Sequence, residues 1–476
     1  MFINYVTSLP PFKLNDMIKH LLFAGLLILS ATQSPAQLLP RKGSLGVSFY
    51  QNPPDSVIRS LQYKEGAIVQ LVHPNTTAAA IGLQAHDIIT RVNNSTVSTP
   101  AQLLAVAKTL RENEPIIVSV LRQQALVQLS GKVVARPKET SATAQVVYGQ
   151  FTYQQGMVRT IYKAPNNKTP LGTIYFLQGL PCYSMDNFTP LDKTKQAIDA
   201  MVENGFAVYR IEKADMGDNI NMPPCETMGF HEELKMYVAG YQHLLTLPGI
   251  DTSKLILFGH SMGGVTAPLL AQQFQPKAVV VYGTVFKPWM QYLMDACLLQ
   301  PQLYGEDAAL LQQQLDAAKP YIYEYFNTAK TVEEICQTKA GRDAMQLIMS
   351  YNPQTKLGAS GRAALVHKEL NQHNLTDAWA RTNAHVLAIY GECDIAAINP
   401  TDTKALIAHV NNIHPGKGHF WLAPRTTHTF EEIGTMPEFI EWQKDLPAYY
   451  NYAAGKFNPK VFTYACDWMK EVLRKG

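Results

Sequence analysis

Between Lys42 and about Pro137 the apolar positions recur at intervals of two in short runs. LGVSF (45–49), GAIVQLV (66–72), DIITRVN (87–93) and PIIVSVLR (115–122) have strand length and β-branched content, so four strands are predicted. Between them, TTAAAIGL (76–83) predicts a short helix stopped by Gly82, and PAQLLAVAKTLRE (100–112) an amphipathic helix with proline near its start. The segment PKETSATA (137–144), rich in Pro, Lys, Ser and Thr, then breaks the pattern and marks a boundary. A small β-rich module over 42–137 is the first expectation.

Beyond the linker the apolar runs become continuous. QVVYGQFTY and GMVRTIYKAP predict two opening strands. TIYFLQG (173–179), AVYRIEK (207–213), KLILFG (254–259), KAVVVYG (277–283), NAHVLAIYG (383–391) and HFWLAP (419–424) follow as further strands. Helical patterns separate them at 191–205, 231–247 and from Met262 onward, and another closes the chain at 458–473. Apolar strands alternating with amphipathic helices predict a mainly parallel sheet covered on both faces, over 145–476. Thr284 to Thr382 is helical by pattern and rich in aromatic residues, among them Phe286, Trp289, Tyr292, Tyr321, Tyr323, Tyr325 and Phe326.

The run LLFAGLLILSA (21–31) follows Met17-Ile18-Lys19-His20 and precedes small residues at Ser34 and Ala36. This predicts a secretory signal peptide over 1–36, and an exported chain, periplasmic or extracellular, with no membrane span after cleavage. In an oxidising compartment the six cysteines are too scattered for a disulfide-built scaffold, and no CxxC pair points to zinc or thiol redox chemistry. A formal charge of +3 over 476 residues, without a long basic tract, argues against a nucleic-acid partner. The histidines form no HExxH set and no GxGxxG follows a strand, so neither a metal nor an organic cofactor is expected.

Candidate chemistry centres on Gly259-His260-Ser261-Met262-Gly263, where a predicted strand turns into a helix. A serine is a weak nucleophile unless a base and an orienting carboxylate accompany it. Asp394 follows the strand ending at Gly391, and His428 follows the strand ending at Pro424. Ser, Asp, His in that chain order, each beyond a strand end, is the order that goes with a nucleophile elbow. Glu392 competes with Asp394, and His414 and His419 compete with His428 from the wrong end of their strand.

These motifs resemble the α/β-hydrolase superfamily, of the exported dienelactone-hydrolase-like or prolyl-oligopeptidase-like kind. The resemblance implies Ser261 as nucleophile, His428 as general base and acid, and Asp394 as its orienting carboxylate. It also implies an oxyanion hole made by the backbone N–H groups of Met262 and Leu180, the latter in the loop LQGLPCYS (177–184), where Gln178 replaces the superfamily's usual histidine. The helical stretch 284–382 falls where the superfamily inserts a cap. Neighbouring strand ends would bring Cys182 and Cys225 together, either as a disulfide or as two buried thiols. Arg210, Glu212, Lys213 and Asp218 are expected to form an ion-pair network near the site.

The first module resembles a PDZ domain through SLGVSF (44–49), GAIVQLVHPNTTAAAIGLQAHDIITRVNNSTV (66–97) and the helix from Pro100. The resemblance implies a carboxylate-binding loop at Gly43-Ser44-Leu45-Gly46 and a peptide groove between Val47–Phe49 and the long helix, open to a protein C-terminus. His86 stands where glycine is usual, and Asn94 replaces the glycine of an Asn-Gly turn, with left-handed backbone expected there. The combined expectation is a serine hydrolase working through an acyl-enzyme on carboxylic esters or thioesters. The alternatives are an exported serine peptidase whose PDZ domain engages peptide C-termini, and an inactive PDZ-containing binding protein.

Overall fold

The computed structural model describes residues 39–186 and 189–475. The signal peptide expected over 1–36 lies outside the described residues. The first domain holds β1 (Val47–Phe49), α1 (Asp55–Leu61), β2 (Ala67–Val72), α2 (Thr77–Ile81), β3 (Ile88–Val92), β4 (Ser95–Thr96), α3 (Pro100–Thr109), β5 (Pro115–Arg122) and β6 (Ala125–Lys132). Its strands run in the order β1-β2-β3-β5-β6, with β4 pairing β3. Alternate residues of the predicted strands, such as Ala67, Val69, Val118 and Val120, fill one core with Leu103 of α3.

Two details there differ from expectation. β6 went unforeseen because its side chains are mostly exposed, and because its hairpin turn uses Gln123-Gln124, both at positive φ (51° and 69°), instead of Asn-Gly. In the Asn93-Asn94 turn the left-handed residue is Asn93 (φ 49°), not Asn94. His86 also takes positive φ (70°), standing in for the usual glycine at a conformational cost.

The second domain opens with the antiparallel pair β7 (Ala144–Tyr153) and β8 (Gly156–Pro165). β9 (Thr173–Leu177), α4 (Lys193–Glu203), β10 (Ala207–Ile211), α5 (Phe230–Thr246), β11 (Leu255–His260), α6 (Met262–Phe274) and β12 (Ala278–Tyr282) follow. The helical insertion contains α7 (Trp289–Leu303), α8 (Ala308–Asn327), α9 (Val332–Ile335), α10 (Lys339–Met349), α11 (Ala364–Leu370) and α12 (Leu375–Ala380). The chain ends with β13 (His385–Cys393), α13 (Thr401–Ile413), β14 (Gly418–Thr427), α14 (Met436–Gln443), α15 (Leu446–Ala453) and α16 (Pro459–Arg474).

The eight strands run β14-β13-β12-β11-β9-β10-β8-β7, parallel from β14 to β10 and antiparallel at the β8 and β7 edge. Successive side chains of a strand face opposite sides of the sheet, and the central strands are buried on both. Tyr175 and Leu177 of β9 pack with α5, α6, α13 and the insertion. Ile174 and Phe176 pack with α4 and α16. The architecture is the expected one: a small β-rich PDZ-like domain, then an α/β-hydrolase sheet with a helical cap.

The two domains belong to one compact unit and are joined by buried charge. Arg41 reaches Asp186 (2.6 Å) and Asp218 (2.7 Å), the Lys42 N–H donates to Asp218 (2.7 Å), and Arg159 also pairs with Asp218 (2.8 Å). In the linker, Glu139 is buried between Lys163 and Arg210. The linker is therefore pinned at its centre.

Candidate active site

Ser261 sits at the end of β11 with φ 56° and ψ −125°, outside the regions that a serine ordinarily occupies, and α6 begins at the next residue. The strain is held by close packing. A Cβ on Gly259 would lie 2.3 Å from the Gly263 oxygen, and one on Gly263 would lie 2.1 Å from the Leu177 oxygen, so both positions exclude any larger residue. The Ser261 N–H donates to Tyr282 O (2.9 Å), which ties the elbow to β12.

Asp394 is fully buried just beyond β13 and accepts from the Ala397 N–H (2.9 Å). His428 Nδ1 lies 2.9 Å from both of its carboxylate oxygens. That contact assigns the proton to Nδ1 and leaves Nε2 as the free lone pair. Burial alone would depress the His428 pKa, but the Asp394 charge and hydrogen bond, with help from Glu431, outweigh it and raise it above 6.5. Gly283, at φ 60°, makes room for this pair, since a Cβ there would meet Asp394 Oδ2 at 2.6 Å.

Ser261 and His428 face one cavity of about 20 Å³, without a hydrogen bond between them. Met262, Val265, Thr284, Val285, Trp289, Tyr292 and Ala396 complete its wall. It has room for one water-sized group. Trp289 Nε1–H donates to His367 Nδ1 (3.0 Å), and the Tyr292 hydroxyl donates to Ala396 O (2.8 Å), so both cap aromatics are fixed in orientation. Tyr325 and Phe326 instead pack inside the cap, and Tyr323 is exposed.

Gly179 packs against Ser261: a Cβ on it would sit 3.2 Å from Ser261 Cβ. Leu180 follows Gly179 in that loop, and Met262 opens α6 directly after Ser261. Cys182 and Cys225 form a disulfide that fastens the same loop to the segment before α5. The competing residues lie elsewhere. Glu392 is exposed and accepts from the Arg425 N–H (2.8 Å). His414 bonds Ala380 O (3.0 Å), and His419 bonds the Tyr464 hydroxyl (2.6 Å).

Arg210, Glu212, Lys213 and Asp218 do not form one network. Arg210 pairs with Glu139, Asp218 bridges Arg41 and Arg159, and Lys213 joins Glu233 (2.9 Å). Glu212 takes the Ser184 hydroxyl (2.6 Å) and the Met185 N–H (2.9 Å), and burial pushes its pKa up to about 7. Only Arg210 lies on β10; Glu212, Lys213 and Asp218 lie in the loop beyond it, which carries them to separate partners.

Sequence reasoning missed His260, the residue before Ser261. Its ring lies against His428, and its Nε2–H donates to His428 O (2.8 Å), holding the backbone of that histidine. Burial, with the neighbouring His428 adding to it, drives its pKa down to about 3, which favours the neutral ring.

Residues 43–133 match the model of the PDZ domain family, and residues 191–412 match that of the family described as serine aminopeptidase, S33. The chain thus couples a PDZ domain to a domain of the α/β-hydrolase superfamily. The protein is a serine hydrolase. Similar solved structures include a proline iminopeptidase from Mycobacterium smegmatis, at 15% identity over 69% of this chain and 99% of that one, with a TM-score of 0.42. A soluble variant of monoglyceride lipase from Saccharomyces cerevisiae is 14% identical over 71% and 97%, with a TM-score of 0.41. The esterase domain of a Rhodothermus marinus protein is 14% identical over 65% and 100%, with a TM-score of 0.37. No curated protein matches the chain.

Proposed function

We propose that this protein is an exported esterase or thioesterase that hydrolyses short acyl groups through a Ser261 acyl-enzyme. Ser261 Oγ attacks the carbonyl carbon while its proton passes to His428 Nε2, and Asp394 keeps the imidazole aligned and supports its positive charge. The oxygen of the tetrahedral intermediate is met by the N–H groups of Met262 and Leu180. The C–O or C–S bond then breaks, and His428 returns the proton to the departing alcohol or thiol. Water, deprotonated by His428, releases the acid and restores Ser261.

The observation that carries this reading is the chemistry of the wall facing Ser261. Among the described residues that line the cavity there is no carboxylate and no ammonium group. A neutral acyl group fits such a wall, whereas an aminopeptidase needs an acidic partner for the substrate's amino terminus. The disulfide supports export, because such bonds persist in oxidising compartments. In the PDZ domain, a groove of about 920 Å³ between β1 and α3, ending at Lys42-Gly43-Ser44, supports binding of a protein C-terminus.

The test compares kcat/KM on a short-chain aryl ester with that on aminoacyl and peptidyl anilides. Esters should be preferred by at least about 10²-fold, a margin of roughly 3 kcal/mol in transition-state binding. Comparable turnover of an aminoacyl anilide would instead support the peptidase alternative.

A further inference from the structure

We propose that Lys213 and Arg362 are positioning residues that aim the Leu180 N–H at the developing oxyanion, Lys213 by gripping the Gly179 carbonyl and Arg362 by tying the same loop to the cap. This rests on the acyl-enzyme reading above. Lys213 Nζ donates to Gly179 O (2.6 Å) and to Leu180 O (3.1 Å). Arg362, from the cap, donates to Leu180 O (2.8 Å), to Met228 O (3.1 Å) and to Glu233 (2.7 Å). All three side chains are essentially sealed from solvent, at 1% exposure for Lys213 and Glu233 and 0% for Arg362.

The geometry of a peptide bond makes this grip directional. The Gly179 C=O and the Leu180 N–H belong to one planar trans unit and point in opposite directions. Fixing the carbonyl toward Lys213 fixes the N–H away from it. Gly179 itself rests on Ser261, so the orientation of this unit governs whether the donor faces the developing oxyanion. Rotation of the unit would exchange a donor for an acceptor and repel the oxyanion. Two cations against one carboxylate also leave one net positive charge beside the loop, of the sign that favours an oxyanion.

Packing alone would not demand these residues. Three buried charges are often replaceable by apolar side chains of similar volume without loss of stability, so a role confined to packing would not require a lysine here. The charged groups facing Lys213 are Glu233 of α5 and Arg362 of the cap. Burial lowers the Lys213 pKa to about 8, with Glu233 opposing and Arg362 adding to the fall. Below that value the ammonium donates to Gly179 O and Leu180 O and keeps its charge opposite Glu233 Oε1 (2.9 Å). Above it the amine loses that charge and one N–H, which loosens its hold on the loop.

The experiment uses the full chain as wild type, Lys213→Met, Lys213→Arg and Ser261→Ala. The rate of Ser261 labelling by an alkyl fluorophosphonate is read together with kcat and KM on a short-chain aryl ester from pH 6 to 10. Lys213→Met should lower kcat and labelling by about 10²-fold, the scale of losing one oxyanion donor, with KM changed by less than about threefold. The wild type should decline on the alkaline side near pH 8, and Lys213→Arg should recover at least about tenfold of the Lys213→Met loss and remove the decline. Unchanged kcat in Lys213→Met, a loss carried wholly by KM, or no recovery in Lys213→Arg would each overturn the proposal. If Lys213→Met does not fold, the other two profiles decide, and a wild type without an alkaline decline overturns it equally. Wild type that is neither labelled nor active sinks the hydrolase reading and this proposal together. A labelled wild type whose rate ignores Lys213 sinks the proposal alone.

Discussion

The PDZ groove and the cavity at Ser261 lie in one compact unit and are built on opposite rules. The groove is wide, about 920 Å³, lined by Leu45, Val47, Phe49 and Leu103 and rimmed by Lys42, Lys108, Arg111 and Arg136. Burial and the adjacent arginines hold Lys42 below the usual lysine range, a sign of crowded positive charge. The cavity holds about 20 Å³ and has no charged wall apart from the His428 imidazole. The first is wide, open and cationic at its rim, the second small and uncharged. The difference teaches that one chain carries two concave surfaces of opposite character, and that the strip from Lys213 to Asn219 lies between them. Lys213 touches the loop over Ser261, Asp215 lines the groove, and Asp218 accepts from the Lys42 N–H.

The largest effect should come from Ser261→Ala, which ought to reduce ester hydrolysis by about 10⁴-fold or more while leaving peptide binding to the groove unchanged. Titrating a fluorescent C-terminal peptide into both proteins checks the second half. A fall in peptide affinity would mean that the two regions are not separable. Next comes Asp218→Ala, which takes the carboxylate from Arg159 and leaves Arg41 paired with Asp186 alone. Breaking a buried pair in this way costs about 3–5 kcal/mol, read as a shift in the urea midpoint. The linker at 137–143 should also become cleavable by protease. An unshifted midpoint would show that the groove and the cavity do not depend on this joint.

How much of this was legible differs between the two kinds of residue. Ser261, Asp394 and His428 each lie at or just beyond the end of a strand with an apolar stretch, and a parallel sheet brings the carboxyl ends of its strands to one rim, so their convergence could be read from order. The Cys182–Cys225 pairing followed from the same neighbourhood of strand ends. Glu233 and Arg362 were not legible. One lies within α5, the other in the irregular segment before α11, and Arg362 stands 129 residues beyond Glu233 in the chain. No local pattern marks such a meeting. The Gln123-Gln124 hairpin was hidden for a different reason: its residue types do not advertise the left-handed backbone they adopt.

Smaller effects separate the two regions further. Amidating a peptide's C-terminus should weaken groove binding by about tenfold, the usual scale for losing charge-assisted hydrogen bonds, and Lys108→Glu should weaken the free-acid peptide in the same direction. Neither change should alter ester turnover. Equal affinity for acid and amide would mean that the cationic rim does not recognise a chain end.

The smallest effect concerns the acid side of the pH profile at the cavity. His428 must be neutral to accept the Ser261 proton, so kcat/KM should rise with pH through the His428 pKa. Burial pulls that pKa down, while the Asp394 carboxylate, its hydrogen bond and then Glu431 pull it up and prevail. The acid limb should therefore have its midpoint above 6.5. Glu431→Gln removes the weakest of the raising contributions without touching the Asp394 bond. Its Thr427 and Thr429 hydroxyl contacts can be kept by the amide oxygen. The midpoint should move toward lower pH, with the plateau above it unchanged, because the neutral imidazole that acts there is the same. A wild-type midpoint at or below 6.5 would mean that burial outweighs the Asp394 pair. A lowered plateau would place Glu431 in the alignment of His428 and not merely in its field.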